Sequence, residues 1–184
     1  MKSLNPKIWT PDSIVPGKVG GAERFFFRNQ YNLEAVVKAT GEVKWRATIQ
    51  NLVVTEGLNA ILETMFGTFP KPSAYYLGLI EGATAPVAGD TLASHGFTEY
   101  TGYTGDRKQW IVGPASAGSI ATLNPASRAE FDFTETKDIT GVLSTDQLSG
   151  NVGVLFAAAM LGVPQTLNNG WTLRVDYTVQ ATSA

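Results

Sequence analysis

Asp90, Ser94 and His95 stand close together in the stretch GDTLASHG. These are the residue types from which a nucleophile, a general base and an orienting acid are assembled. Working relays draw those three groups from separate elements so that they converge, and neighbours along one loop do not present that geometry. His95, the only histidine, is therefore read as a loop residue making a local hydrogen bond. With one histidine and no cysteine, the usual zinc, copper and haem ligand sets lack donors, and disulfides are excluded.

Glu130, Asp132, Glu135 and Asp138 lie near one expected strand end, where carboxylates could hold calcium. Their spacing lacks the dense alternation of a calcium loop, and a solvated acidic face accounts for them as well. Paired carboxylates also serve glycoside hydrolysis, but no spacing here selects a pair. Val19-Gly20-Gly21-Ala22 precedes no helix and reads as a hinge rather than a phosphate loop. No enzymatic activity, cofactor or small-molecule substrate is expected.

Residues 24–31 (RFFFRNQY) form the one stretch that interleaves basic and aromatic side chains. In an extended chain Phe25, Phe26 and Phe27 point alternately to opposite sides, which suits wedging into a protein groove better than stacking bases on one platform. Ahead of them, Pro6, Pro11, Pro16, Gly17, Gly20 and Gly21 leave no room for a helix or long strand. That stretch still holds Ile8, Trp9, Ile14 and Val15, whereas disordered tails are poor in such residues. Residues 1–32 are accordingly expected to be an extended arm. Its interface would use Ile8, Trp9, Ile14, Val15, Arg24, Phe25, Phe26, Phe27, Arg28 and Tyr31, either on its own body or on a neighbouring copy.

The remainder, residues 33–184, reads as one mainly β domain. Val43, Trp45, Ala47 and Ile49 alternate with polar residues, and Gly41 turns this strand back on residues 33–40 as a hairpin. A helix is predicted over about residues 55–66. Thr55 is its expected N-cap, Gly67 its stop, and Leu58, Ile61, Leu62 and Met65 its core-facing stripe. The apolar run 74–80 predicts a strand buried on both faces, and residues 81–97 a loop in which Asp90 caps a helical turn. Short strands then follow one another, most cleanly around Ala129, Phe131 and Phe133 and from Trp171 to Val179 after the Asn169-Gly170 turn. This pattern predicts an antiparallel β-sandwich or jelly-roll-like domain with one helix.

The 184 residues suffice for one real core. Charged residues make up only 16% against an ordinary value of about 25%, so much of the surface is neutral, as suits a member of an assembly. Net charge is −2, divided as +4 over residues 1–50 and −6 over the rest. A basic front on an acidic body permits head-to-tail docking between copies, while solvated side chains distributed by chance give the same balance. Neither nucleic acid nor membrane is an expected partner, because no basic stripe and no apolar stretch of about 18 residues occurs.

Several segments together resemble a family of small tailed-bacteriophage structural proteins. They are NLVVTEGLNAILETMF, YYLGLIEGATAPVAGDTLASHGFTEY, Asp106-Arg107-Lys108-Gln109-Trp110, SRAEFDF and the terminal GWTLRVDYTVQATSA. In that family an N-x-V-x-x-x-G-L helix start, a Y-x-G-L strand and an A-x-G-D-T-x-x-S-H loop recur in this order. The resemblance runs from about Val43 to the C-terminus and leaves residues 1–32 outside. Gly96-Phe97 stands where the family often has Gly-Trp. It implies a virion protein assembled in the host cytoplasm, of capsid decoration or cement type, with the major capsid protein and other copies of itself as partners. The alternative is a tail or fibre module binding a host receptor or glycan. No catalytic or ligand residue carries over.

Overall fold

The computed structural model of the chain describes residues 25–183, with side chains from 27 to 181. In chain order its elements begin with β1 (Phe25–Val37), β2 (Val43–Gln50), β3 (Leu52–Val53), the helix α1 (Thr55–Phe66) and β4 (Tyr75–Glu81). Then follow β5 (Thr98–Tyr100), β6 (Lys108–Trp110), β7 (Ser119–Ala121), β8 (Ala129–Asp132), β9 (Lys137–Thr145), β10 (Leu155–Leu167) and β11 (Trp171–Ser183).

These strands make two antiparallel sheets, as the mainly β reading predicts. The first runs β2-β1-β11, with β7 and β8 sharing the far edge of β11; the second runs β3-β10-β9-β4, with β5 and β6 sharing β4. Strict alternation sorts the first sheet into an inner and an outer row. Tyr31, Leu33 and Ala35 of β1 and Leu173, Val175 and Tyr177 of β11 face inward, onto Leu77, Leu79, Ile139 and Leu167 of the second sheet. Tyr31 and Tyr177 stack at the centre with ring centroids 4.4 Å apart.

The second sheet is covered on its other face too. Ile80, Leu143, Leu155 and Ala158 pack there with Val54, Leu92 and Phe97 from the segments around α1 and the 82–97 loop. The run at β4 is therefore buried on both sides, as its unbroken apolar character predicts. Gly41 makes the β1–β2 turn at φ +71°, a conformation that costs glycine little.

The structure departs from the sequence reading at four places. β1 starts at Phe25 and pairs with β11 along its whole length, from Phe25↔Ser183 to Val37↔Trp171. Residues 25–32, assigned above to the arm, thus form the first half of a strand of the body. The helix N-cap is Val54, not Thr55, and it makes no side-chain cap bond. Asp90 caps no helix; its Oδ2 accepts from the Val87 N–H at 2.8 Å and closes a turn behind it. Lastly, the stripe Leu58, Leu62 and Met65 does not face the core, because Gly57 and Ala60 form the face that packs on the body.

Candidate docking site

Small residues hold α1 to the body. Gly57 and Ala60 are its buried positions, and Gly57 lies against the Phe156 backbone so closely that any Cβ would overlap it. Glu56 fixes the helix at its start. Its Oε2 accepts from the N–H of Leu92 at 2.9 Å and of Leu155 at 2.7 Å, tying the first turn to both the 82–97 loop and β10. At about 100° per residue, a face centred on positions 57, 60 and 64 leaves 58, 62, 65 and 66 pointing away. Leu58 is 37% exposed, Leu62 53%, Met65 61% and Phe66 81%. Large apolar side chains in one contiguous exposed row are uncommon on a monomer and mark interaction surfaces.

Ile61 lies between the buried and exposed rows and forms part of the wall of a pocket of about 240 Å3 at one end of the sandwich. Tyr75, Trp110 and Phe156 supply further wall, and Asn29, Ser144 and Tyr177 line it as well. Tyr177 Oη accepts from Asn29 Nδ2 at 3.0 Å and from Asn51 Nδ2 at 3.3 Å. Burial pushes the Tyr177 and Tyr31 phenols above the ordinary tyrosine range, so both stay neutral. Asn29 is 5% exposed, yet its Oδ1, like Asn51 Oδ1, has no hydrogen-bond partner. A buried polar atom left unpaired costs about 1–3 kcal/mol, and turning the amide over would merely exchange which end is left over.

The outer face of the first sheet is polar. Glu34 pairs with Arg46 at 2.6 Å and reaches Arg128 and Arg174, while Arg174 also meets Glu130 and Arg128 meets Asp176. Burial alone would raise the Glu34 pKa, but the Arg46 hydrogen bond and the surrounding guanidinium charges hold it below the usual carboxylate value. Beyond this ladder lies a shallow concavity of about 670 Å3, lined by Arg28, Gln30, Gln50, Thr178 and Gln180.

The residues singled out for chemistry are each taken up locally. His95 stacks on Phe97 and its Nδ1 lies 2.9 Å from the Phe97 carbonyl, so that nitrogen carries the proton. With Asp90 bound to Val87 and the Ser94 N–H to Thr91 Oγ1, no relay forms from these three. The acids are likewise spread over different partners: Asp132 with Lys38 and Thr172, Glu130 with Arg174, Glu135 with Tyr100, Asp138 with Thr166. Among the described residues no three metal-ligating side chains converge.

Of the expected arm interface, Ile8, Trp9, Ile14, Val15 and Arg24 lie outside the described residues, as do the side chains of Phe25 and Phe26. Phe27 is half-buried, Arg28 is exposed on the outer face, and Tyr31 is fully buried in the core. The sequence reading missed Glu56 as a tie, the buried Arg107–Glu99 pair, and the pocket. A carboxylate beside a helix start signalled the first; nothing in the spacing signalled the others, whose members come from distant segments. Compared with models of protein families and with characterised proteins, the sequence matches none.

Proposed function

We propose that this chain is a structural protein of a tailed-phage virion, a capsid decoration or cement protein that bridges and stabilises major-capsid subunits. The observation that carries the reading is the inverted helix: α1 turns glycine and alanine to its own body and Leu58, Leu62, Met65 and Phe66 outward. A surface of that kind gains about 25 cal/mol for each Å2 of apolar area that a partner covers. Repeated over a shell, modest contacts of this size add up to a large resistance to opening. The sequence resemblance supports the same reading, and residues 1–24 remain as the expected clamp on a neighbour.

The test is binding of the purified protein to shells built from the major capsid protein of the same phage. Saturable binding at regular positions on the shell is expected; absence of binding refutes the proposal.

A tail or fibre module that binds a host glycan is the second reading, and one feature favours it. The concavity formed by Gln30, Gln50, Gln180 and Arg28 presents amides and a guanidinium, groups that suit sugar hydroxyls. Binding on an array of bacterial glycans, lost on Gln50→Ala and Gln180→Ala together, would favour that module over the shell protein.

A further inference from the structure

We propose that the pocket beside α1 binds a small arylalkanoate, an aromatic ring on a short chain that ends in a carboxylate, with the ring inside and the carboxylate on Lys71. The inference stands apart from the virion reading, since a shell protein and a tail module could each carry such a site.

The walls select the ring. Tyr75 meets Trp110 edge to face with centroids 6.1 Å apart, and Phe156 in the same way at 5.3 Å. Ile61 of α1 and Val112 close the remaining sides. The polar residues at the floor offer a ligand little. Ser144 and Tyr177 are buried, and their hydroxyls are engaged within the body, Ser144 with the Ala157 carbonyl and Tyr177 with Asn29 and Asn51. An apolar group is therefore what the interior accepts, and aromatic walls of this kind favour edge-to-face contacts with another ring.

Size sets the length of the tail. An apolar cavity of about 150 Å3 takes one benzene, and this pocket measures about 240 Å3. The difference, roughly 90 Å3, is the space of about three further heavy atoms at the approximately 30 Å3 that a water occupies in the liquid. One ring with a two-carbon chain leading to the rim fills it.

Charge sets the head group. Lys71 is the one charged residue in the lining, and among the described residues it has no hydrogen-bond or ion-pair partner. It stands between Pro70 and Pro72, and a residue that precedes proline is held in the extended region, so its backbone is fixed beside the pocket. An ammonium donates three hydrogen bonds and accepts none, while a carboxylate only accepts. Asp146, whose charge bears on Tyr75, is outside the lining and is itself engaged by the Val154 N–H and Gln147 Nε2.

The experiment is ligand-observed NMR on the full-length protein with two probes of one shape, 3-phenylpropanoate and its neutral amide, 3-phenylpropanamide. The acid is expected to bind with a dissociation constant on the order of 1 mM, as its few heavy atoms allow. The amide should bind about threefold to fivefold more weakly, the range of an exposed ion pair. Lys71→Gln should bring the acid down to the level of the amide and leave the amide unchanged. Ile61→Phe, which fills the pocket from the helix side, should weaken both probes about tenfold with the far-ultraviolet circular dichroism unchanged. The proposal is wrong if the acid does not bind at several times that concentration, if the amide binds equally well, or if Lys71→Gln keeps the preference for the acid. A folded Ile61→Phe variant that binds the acid as the native protein does would place the site elsewhere and overturn it too.

Discussion

Gly57 of α1 rests directly on the backbone carbonyl of Phe156 in β10, with no room between them for a methyl group. This contact sets how the helix is rolled. Once glycine and alanine form the face that meets the sheet, the larger apolar residues must lie to the side and outward, where they border the pocket and solvent. The residues that anchor α1 and the residues it exposes are thus different, and substitutions can separate the stability of the fold from the proposed docking.

Gly57→Ala should destabilise the fold. Overpacking against backbone costs about 1–3 kcal/mol, while alanine regains up to about 1 kcal/mol as the better helix former. Urea unfolding should show a lower midpoint for this variant, whereas Asn59→Ala on the exposed side should leave it nearly unchanged.

Leu62→Gln with Met65→Gln should do the opposite. Both side chains are more than half exposed, so stability should change by no more than about 0.5 kcal/mol per site. Binding to capsid shells should fall by tenfold or more on the order of the loss expected when interface anchors are removed. Equal binding by the double variant and the native protein would show that α1 is not the docking surface.

Away from the helix, Arg107 and Glu99 form a two-pronged ion pair, Nε to Oε1 and Nη2 to Oε2, each at 2.6 Å, with the arginine side chain 6% exposed. Arg107 Nη1 also donates to the Gln147 carbonyl at 3.1 Å. The pair joins β5 to two loops. Arg107→Ala leaves a carboxylate buried without its partner and should cost about 3–5 kcal/mol; Arg107→Lys, which cannot make the fork, should recover only part of that loss. Thermal unfolding of the two variants measures both effects.

Ionisation gives opposite limbs to the stability profile. The folded Glu34 pKa lies below its unfolded value, so its contribution is present at neutral pH and is lost as pH falls through that folded value. Glu34→Gln should therefore flatten the acid limb. Burial raises Tyr100 to about 12, with the nearby Glu135 adding to the shift. Its contribution is whole below the unfolded value near 10 and disappears as pH rises toward 12. Tyrosine absorbance titrated with base should lag behind that of the unfolded chain, and Tyr100→Phe should remove part of the lag.

The parts of this fold legible in the sequence were those with one wet face or none. Alternation around Trp45 and from Trp171 to Val179 placed β2 and β11, and the unbroken run at Leu77–Ile80 placed a doubly covered strand. Helix α1 was legible in extent but not in roll. Its apolar arc includes both the small inward residues and the large outward ones, so periodicity alone could not choose between them. The three adjacent phenylalanines hid the alternation of β1, whose pairing with β11 became visible only with the sheet assembled. The pocket was illegible because Asn29, Ile61, Ser144 and Tyr177 come from four distant segments, brought together by sheet order and not by spacing.

The proposal that this chain is a shell protein of a tailed phage is tested most directly by quantitative mass spectrometry of phage particles purified from the strain that carries its gene. A shell protein is expected in a fixed, high ratio to the major capsid protein. Its absence from the particles, or its presence in only the few copies that a tail would carry, would contradict a role in the shell.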